Sequence, residues 1–145
     1  MKVNSLHQFS LLLLPVLIGC LMAGCVGTSD FLTSSLLPQT QSHVKIKMGH
    51  DSNYVIQVYL INLIRVNHLQ PAKESYVVWM VSDRGITKNI GVITYSPTLF
   101  SKSIKSTFRP ASSLKPARIY ITAEDDPGVQ ISNTEIVFST SKFRE

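Results

Sequence analysis

The chain has 145 residues, 14 Lys plus Arg against 9 Asp plus Glu for a formal net charge of +5, and 44% hydrophobic residues. That length holds one modest core and excludes a multidomain machine. The two cysteines, Cys20 and Cys25, both lie near the N-terminus, which excludes a small scaffold stapled by disulfides.

The first element is an export signal. Met1 and Lys2 precede an apolar run from Phe9 to Met22, interrupted by Pro15 and ending in small residues. The uncharged stretch from Phe9 to Gly27 is 19 residues, long enough to span a membrane as an uncleaved anchor. Its ending favours cleavage. Met22-Ala23-Gly24-Cys25 resembles the bacterial lipobox, in which small residues fit the lipoprotein signal peptidase and the cysteine sulfur takes a diacylglycerol. The resemblance implies a signal peptide over 1–24 and a lipid on Cys25; besides that lipid no cofactor is expected, because the rest of the chain carries no metal or nucleotide motif. Leu17-Ile18-Gly19-Cys20 fits the same pattern, so Cys20 is the alternative site. Cleavage there would leave apolar Leu-Met-Ala-Gly ahead of Cys25, whereas cleavage at Cys25 leaves Val26-Gly27-Thr28-Ser29. Each buried methylene contributes about 0.8 kcal/mol of membrane affinity, so two or three acyl chains anchor such a protein for good. Under the sorting rule of enteric bacteria, Val26 rather than Asp after the cysteine implies the outer membrane, facing the periplasm.

Residues 25–42 are rich in Ser, Thr, Gln and Gly without periodicity and read as a flexible tether, with Leu36 and Leu37 able to pack on the domain. Residues 26–42 could reach roughly 55 Å when extended. From His43 the pattern has a period of two, and residues 43–145 read as one domain. Strands are expected from His43 to Met48, Tyr54 to Val66, Ser75 to Val81, Ile90 to Tyr95, Ser103 to Phe108, Ala117 to Ala123 and Glu135 to Ser139. Turn residues separate them, among them Gly49 to Asn53, Asp83-Arg84-Gly85, Ser96-Pro97 and Asp125-Asp126-Pro127-Gly128. About seven short strands without a helical stripe predict an all-β fold: a small two-sheet antiparallel sandwich, immunoglobulin-like or related.

The strand Tyr76-Val77-Val78-Trp79-Met80-Val81, followed by Gly91-Val92-Ile93 and by Ile119 to Glu124, resembles the extracytoplasmic domain of anti-sigma-K-type factors over about residues 54–139. The resemblance implies a β-sandwich that receives or holds something outside the membrane. It does not carry over sigma-factor binding, because the cytoplasmic helical domain of those factors has no counterpart in this sequence.

Both faces of that strand are apolar: Tyr76, Val78 and Met80 on one, Val77, Trp79 and Val81 on the other. A sandwich core covers only one face. Either Trp79 fills the core and a loop or the tether covers the other face, or one face is an open apolar patch for a partner. A second candidate surface is the basic run Arg84, Lys88, Lys102, Lys105, Arg109, Lys115 and Arg118, with no acidic residue between its ends. It could meet anionic lipid, glycan or peptidoglycan, or be an ordinary solvated face. Nucleic acid is excluded as a partner by export and by the dilution of these charges.

Catalytic signals are weak. Ser112 to Lys115 and Ser139 to Lys142 have the Ser-x-x-Lys spacing of penicillin-recognising enzymes, but neither opens a helix. Glu124-Asp125-Asp126 lacks the alternating spacing of a calcium loop, and His43, His50 and His68 lack zinc-ligand spacing, so no metal is expected. The sequence therefore leads to a non-enzymatic envelope lipoprotein. Its sandwich would bind a protein partner in a secretion, pilus or sensory assembly, with Tyr76, Trp79, Lys102, Lys105 and Arg109 as candidate contacts. The alternative is a module for anionic lipid, glycan or peptidoglycan that uses residues 84–118.

Overall fold

Alternating side chains decide which faces of the strands are buried. In β2 (Gln41–Met48) Val44 and Ile46 turn inward while Lys47 stays in water, and in β3 (Tyr54–Leu63) Ile56, Val58, Leu60 and Leu63 are buried. The two strands pair antiparallel from Gln41 opposite Ile61 to Met48 opposite Tyr54. A tight turn over 49–53 joins them. The Gly49 amide donates to the Asn53 carbonyl at 2.7 Å, and Ser52 takes φ 61°. Asp51 accepts a hydrogen bond from the Asn53 side-chain amide at 2.7 Å. That bond holds its carboxyl below the ordinary 3.8.

The computed structural model describes residues 27–32, 34–94 and 104–143, with 104–107 described by their backbone alone. The expected signal peptide, Cys20, Cys25, Lys102 and the Ser96-Pro97 turn lie outside the described residues. The other strands in chain order are β1 (Gly27–Asp30), β4 (Ser75–Ser82), β5 (Thr87–Val92), β6 (Ile104–Phe108), the two-residue β7 (Ala111–Ser112), β8 (Pro116–Glu124) and β9 (Ile136–Ser139). A single 3₁₀ turn, Val66–His68, follows β3. Among the described residues no helix is long and apolar enough to cross a membrane.

The strands form two antiparallel sheets, as the sequence predicts. One has the order β1-β2-β3-β6, with β7 also pairing β3, and the other has the order β5-β4-β8-β9. The core lies between them. Val44, Ile56, Val58 and Leu60 from the first sheet meet Tyr76, Val78, Met80, Ile119, Ile121 and Phe138 from the second. Fully burying side chains of this kind stabilises by about 1.5–3 kcal/mol each before chain entropy is counted. All seven expected strands are present, although β3 stops at Leu63, leaving Val66 to open the 3₁₀ turn, and β5 runs from Thr87 to Val92 rather than from Ile90 to Tyr95.

Two strands were not expected, and one of them corrects the tether. Residues 27–30 pair with β2, Gly27 opposite Ile46 and Asp30 opposite His43. Phe31 then bridges to Thr140, and the Leu32 amide donates to the Ser139 carbonyl at 2.8 Å, so this segment stitches the first sheet to the second. Phe31 and Leu37 are buried, and Leu37 is held by its amide donating to Ser34 Oγ at 3.1 Å. From Gly27 on, the described part of the expected tether is folded onto the domain. Its composition hid this because β1 is an edge strand with four small or polar residues, and its neighbours are anchored by Phe31 and Leu37 rather than by a periodic face.

Candidate functional site

The outer face of β4 needs cover, because the core takes only Tyr76, Val78 and Met80. The structure supplies that cover locally. Val77, Trp79 and Tyr120 form a second buried cluster, with Val81, Val92 and Val129 packed on it. Trp79 and Tyr120 are register partners on β4 and β8, and their rings stack with centroids 5.9 Å apart and planes at 9°. The Arg118 guanidinium lies 5.6 Å from the Tyr120 centroid on the same face, a cation–π arrangement. Burial raises the Tyr120 phenol above its ordinary 10.0, with Arg118 opposing the shift. Asn89 ties the loop after β8 across this face by donating to the carbonyls of Pro127 and Val129 at 3.1 and 2.8 Å.

A hydrogen-bond chain completes the cluster. The Trp79 indole N–H donates to Thr122 Oγ1 at 2.8 Å, and the Thr122 hydroxyl donates to Glu124 Oε1 at 2.7 Å. The Thr134 hydroxyl also donates to Glu124 Oε1, at 2.8 Å. Glu124 is only 4% exposed, and its carboxylate gathers the loop end, the sheet and the indole into one unit. A buried polar group left unpaired would cost about 1–3 kcal/mol, so this network explains how the polar side chains are accommodated.

These contacts revise the sequence reading of β4. Trp79 is fully buried, but on the outer face of its sheet rather than between the sheets, and the apolar face is closed rather than open. Tyr76 is also fully buried, on the inner face, and its hydroxyl donates to the Ile64 carbonyl at 3.0 Å. Neither ring offers a surface to a partner in this fold. Lys105 lies on β6, in the other sheet, and Arg109 is exposed just beyond that strand. Tyr76, Trp79 and Arg109 thus do not converge on one surface, and the Lys105 backbone lies in the sheet opposite β4.

The basic run is divided as well. Arg84 and Lys115 lie at the same end of the sandwich, where the Asp83 amide donates to the Lys115 carbonyl at 3.0 Å. Arg118 lies over Tyr120, and Lys105 and Arg109 follow the β6 edge. The acidic stretch that closes β8 and follows it separates into three engagements. Glu124 serves the indole network, Asp125 meets Lys73 Nζ at 2.7 Å, and Asp126 accepts from the Gly128 amide at 2.8 Å. Among the described residues no group of three or more His, Cys, Asp or Glu side chains is placed to hold a metal ion. Ser112 Oγ is engaged with the amide and carbonyl of Leu114, both at 3.1 Å.

A surface absent from the sequence reading lies at the end of the sandwich where β3 and β8 finish. The 34–38 segment, the 64–71 connection and β9 frame a groove of about 520 Å³. Buried Leu37 and Val137 and half-buried Leu69 line it, with Leu36 and Ile64 left 46% and 44% exposed. The feature in the sequence that could have pointed here is Leu36-Leu37, an apolar pair inside a polar stretch. Searches of protein families, curated proteins and solved structures return no match to this chain, so the groove stands on its own geometry.

Proposed function

We propose that this protein is a non-catalytic, lipid-anchored protein of the bacterial envelope, outer membrane by its Val26, whose sandwich docks a protein partner in an extracytoplasmic assembly. The groove between Leu36, Ile64 and Val137 is the docking surface. The observation that carries this reading is the concave groove, apolar over most of its lining with Lys73 and Glu135 at its edge, and two large aliphatic side chains held about half in water at the end of the sandwich. Met22-Ala23-Gly24-Cys25 supports the anchor, and the likeness of β4 and β8 to the extracytoplasmic domain of anti-sigma-K-type factors is consistent with a receiving role. The test is in-cell cross-linking with mass spectrometry on the native chain, on Cys25→Ser and on a Leu36→Asp/Ile64→Asp double variant. The proposal expects a partner recovered with the native chain and lost with the double variant. Equal recovery from both would remove the groove from the interface.

A second reading takes the basic residues as a binding site for an anionic envelope polymer. The observation favouring it is the Asp83–Lys115 backbone bond, which puts Lys115 at the same end of the sandwich as the turn that carries Arg84. Under it, Arg84→Ala/Lys115→Ala abolishes co-sedimentation with peptidoglycan. Unchanged sedimentation would dismiss it.

A further inference from the structure

Only Val26 separates Cys25 from the first strand, because Gly27 already pairs with Ile46. Two peptide steps span no more than about 7 Å. A lipid on Cys25 therefore brings the end of the sandwich that holds Gly27 to the headgroups, with little slack for the domain to turn.

The register shows what else sits at that end. Gly27 shares a cleft with Lys142 and Phe143, and the Phe143 amide donates to the Ala117 carbonyl. Ser82 pairs with Pro116, and the 83–86 turn follows beside Lys115. On the other sheet, Ile46 leads to Lys47 and Met48, and Met48 pairs with Tyr54, which pairs with Ser112. One end of the molecule thus gathers Lys47, Arg84, Lys115 and Lys142, all exposed, against Asp51 and Asp83. It also carries two exposed large aliphatic residues, Met48 at 57% and Ile86 at 43%. Among the described residues the opposite end has the reverse charge. Glu74, Asp125, Asp126 and Glu135 are exposed there against Arg65 and Lys73, and Lys73 is already bonded to Asp125.

We infer that the Gly27 end of the sandwich is a membrane-docking face, resting on anionic phospholipid headgroups through Lys47, Arg84, Lys115 and Lys142, with Met48 and Ile86 dipping into the interface. This inference rests on the lipid-anchor reading and adds an orientation to it. Exposed cations are attracted to an anionic leaflet within a Debye length of about 10 Å at 0.1 M salt, and the acidic far end is repelled, so both ends of the charge distribution favour the same pose. The groove at Leu36 and Ile64 then points away from the bilayer.

The test uses the full chain, expressed in bacteria, with palmitate labelling of Cys25 as its first readout. The lipidated protein is reconstituted into phosphatidylcholine vesicles with and without phosphatidylglycerol. An environment-sensitive fluorophore is placed at Met48→Cys or Ile86→Cys, and in separate proteins at the far end, at Leu36→Cys or at Ile131→Cys in the exposed loop between β8 and β9. The expected result is severalfold stronger quenching by headgroup-level spin-labelled lipid at Met48 and Ile86. The difference should grow with phosphatidylglycerol and disappear in the Lys47→Glu/Lys115→Glu/Lys142→Glu variant. Equal quenching at both ends, with Cys25 carrying lipid, overturns the orientation and leaves the anchor intact. Absence of lipid on Cys25 overturns both. Shielding of the same labels by soluble peptidoglycan fragments but not by vesicles would assign this end to a glycan and overturn the lipid assignment.

Discussion

Trp79 is the residue whose replacement tells most about how the sandwich is closed. It is fully buried, stacked on Tyr120 and bonded to Thr122, so Trp79→Ala removes packing and strands the Thr122–Glu124 chain. Denaturant unfolding should show a loss of about 3–5 kcal/mol. Thr122→Val keeps the shape but removes the acceptor of the indole and a donor to Glu124, and should cost about 1–3 kcal/mol. Tyr120 gives a spectroscopic companion to these measurements. Burial holds its folded-state pKa above 10.0, so its neutral form is favoured by the fold. The corresponding stability is complete below pH 10.0 and is lost as pH rises through the folded value. Tyrosinate absorbance should therefore show the Tyr120 phenol titrating later in the native protein than in urea, an effect absent in Tyr120→Phe. The apolar character of both β4 faces was legible in the sequence. Which face held the indole was not, because that depends on the loop after β8 folding back, and the Asn89 bonds that fix the loop join residues some forty positions apart.

At the scale of elements, period-two alternation located the interior strands well, since β2, β3, β4 and β8 bury apolar residues that any strand reading would pick out. β1 and β7 escaped because an edge strand of four residues and a two-residue strand carry too few side chains to show a period. Packing, not propensity, holds β1 in place. Phe31 lies 6.0 Å from Phe138, centroid to centroid, and is 7% exposed. Phe31→Ala in the full chain should therefore destabilise by about 3 kcal/mol, measured by thermal or urea unfolding. A residue in a true tether would change stability by less than about 0.5 kcal/mol. The same distinction predicts that residues 34–42 resist limited proteolysis under native conditions, since Leu37, Ser34 and Thr40 tie them down.

Over the whole molecule, the sandwich has two unlike ends: a basic one beside Gly27 and an acidic one around the groove. They share no residue and lie at opposite ends of the strands, so their variants should act independently. Leu36→Asp/Ile64→Asp should leave vesicle orientation unchanged, and Lys47→Glu/Lys142→Glu should leave partner capture unchanged. Fluorescence quenching and cross-linking on the quadruple variant would check that both losses appear together without enhancing each other. The direction of β1 adds a mechanical property. It runs from Gly27 into the domain alongside β2, so a pull at Gly27 directed away from the far end acts along the strand axis and loads the β1–β2 hydrogen bonds together in shear. The Phe31–Thr140 bridge passes that load to the second sheet. A partner that tugs on the far end would thus strain a ladder built to slide as one, rather than a zipper that opens bond by bond.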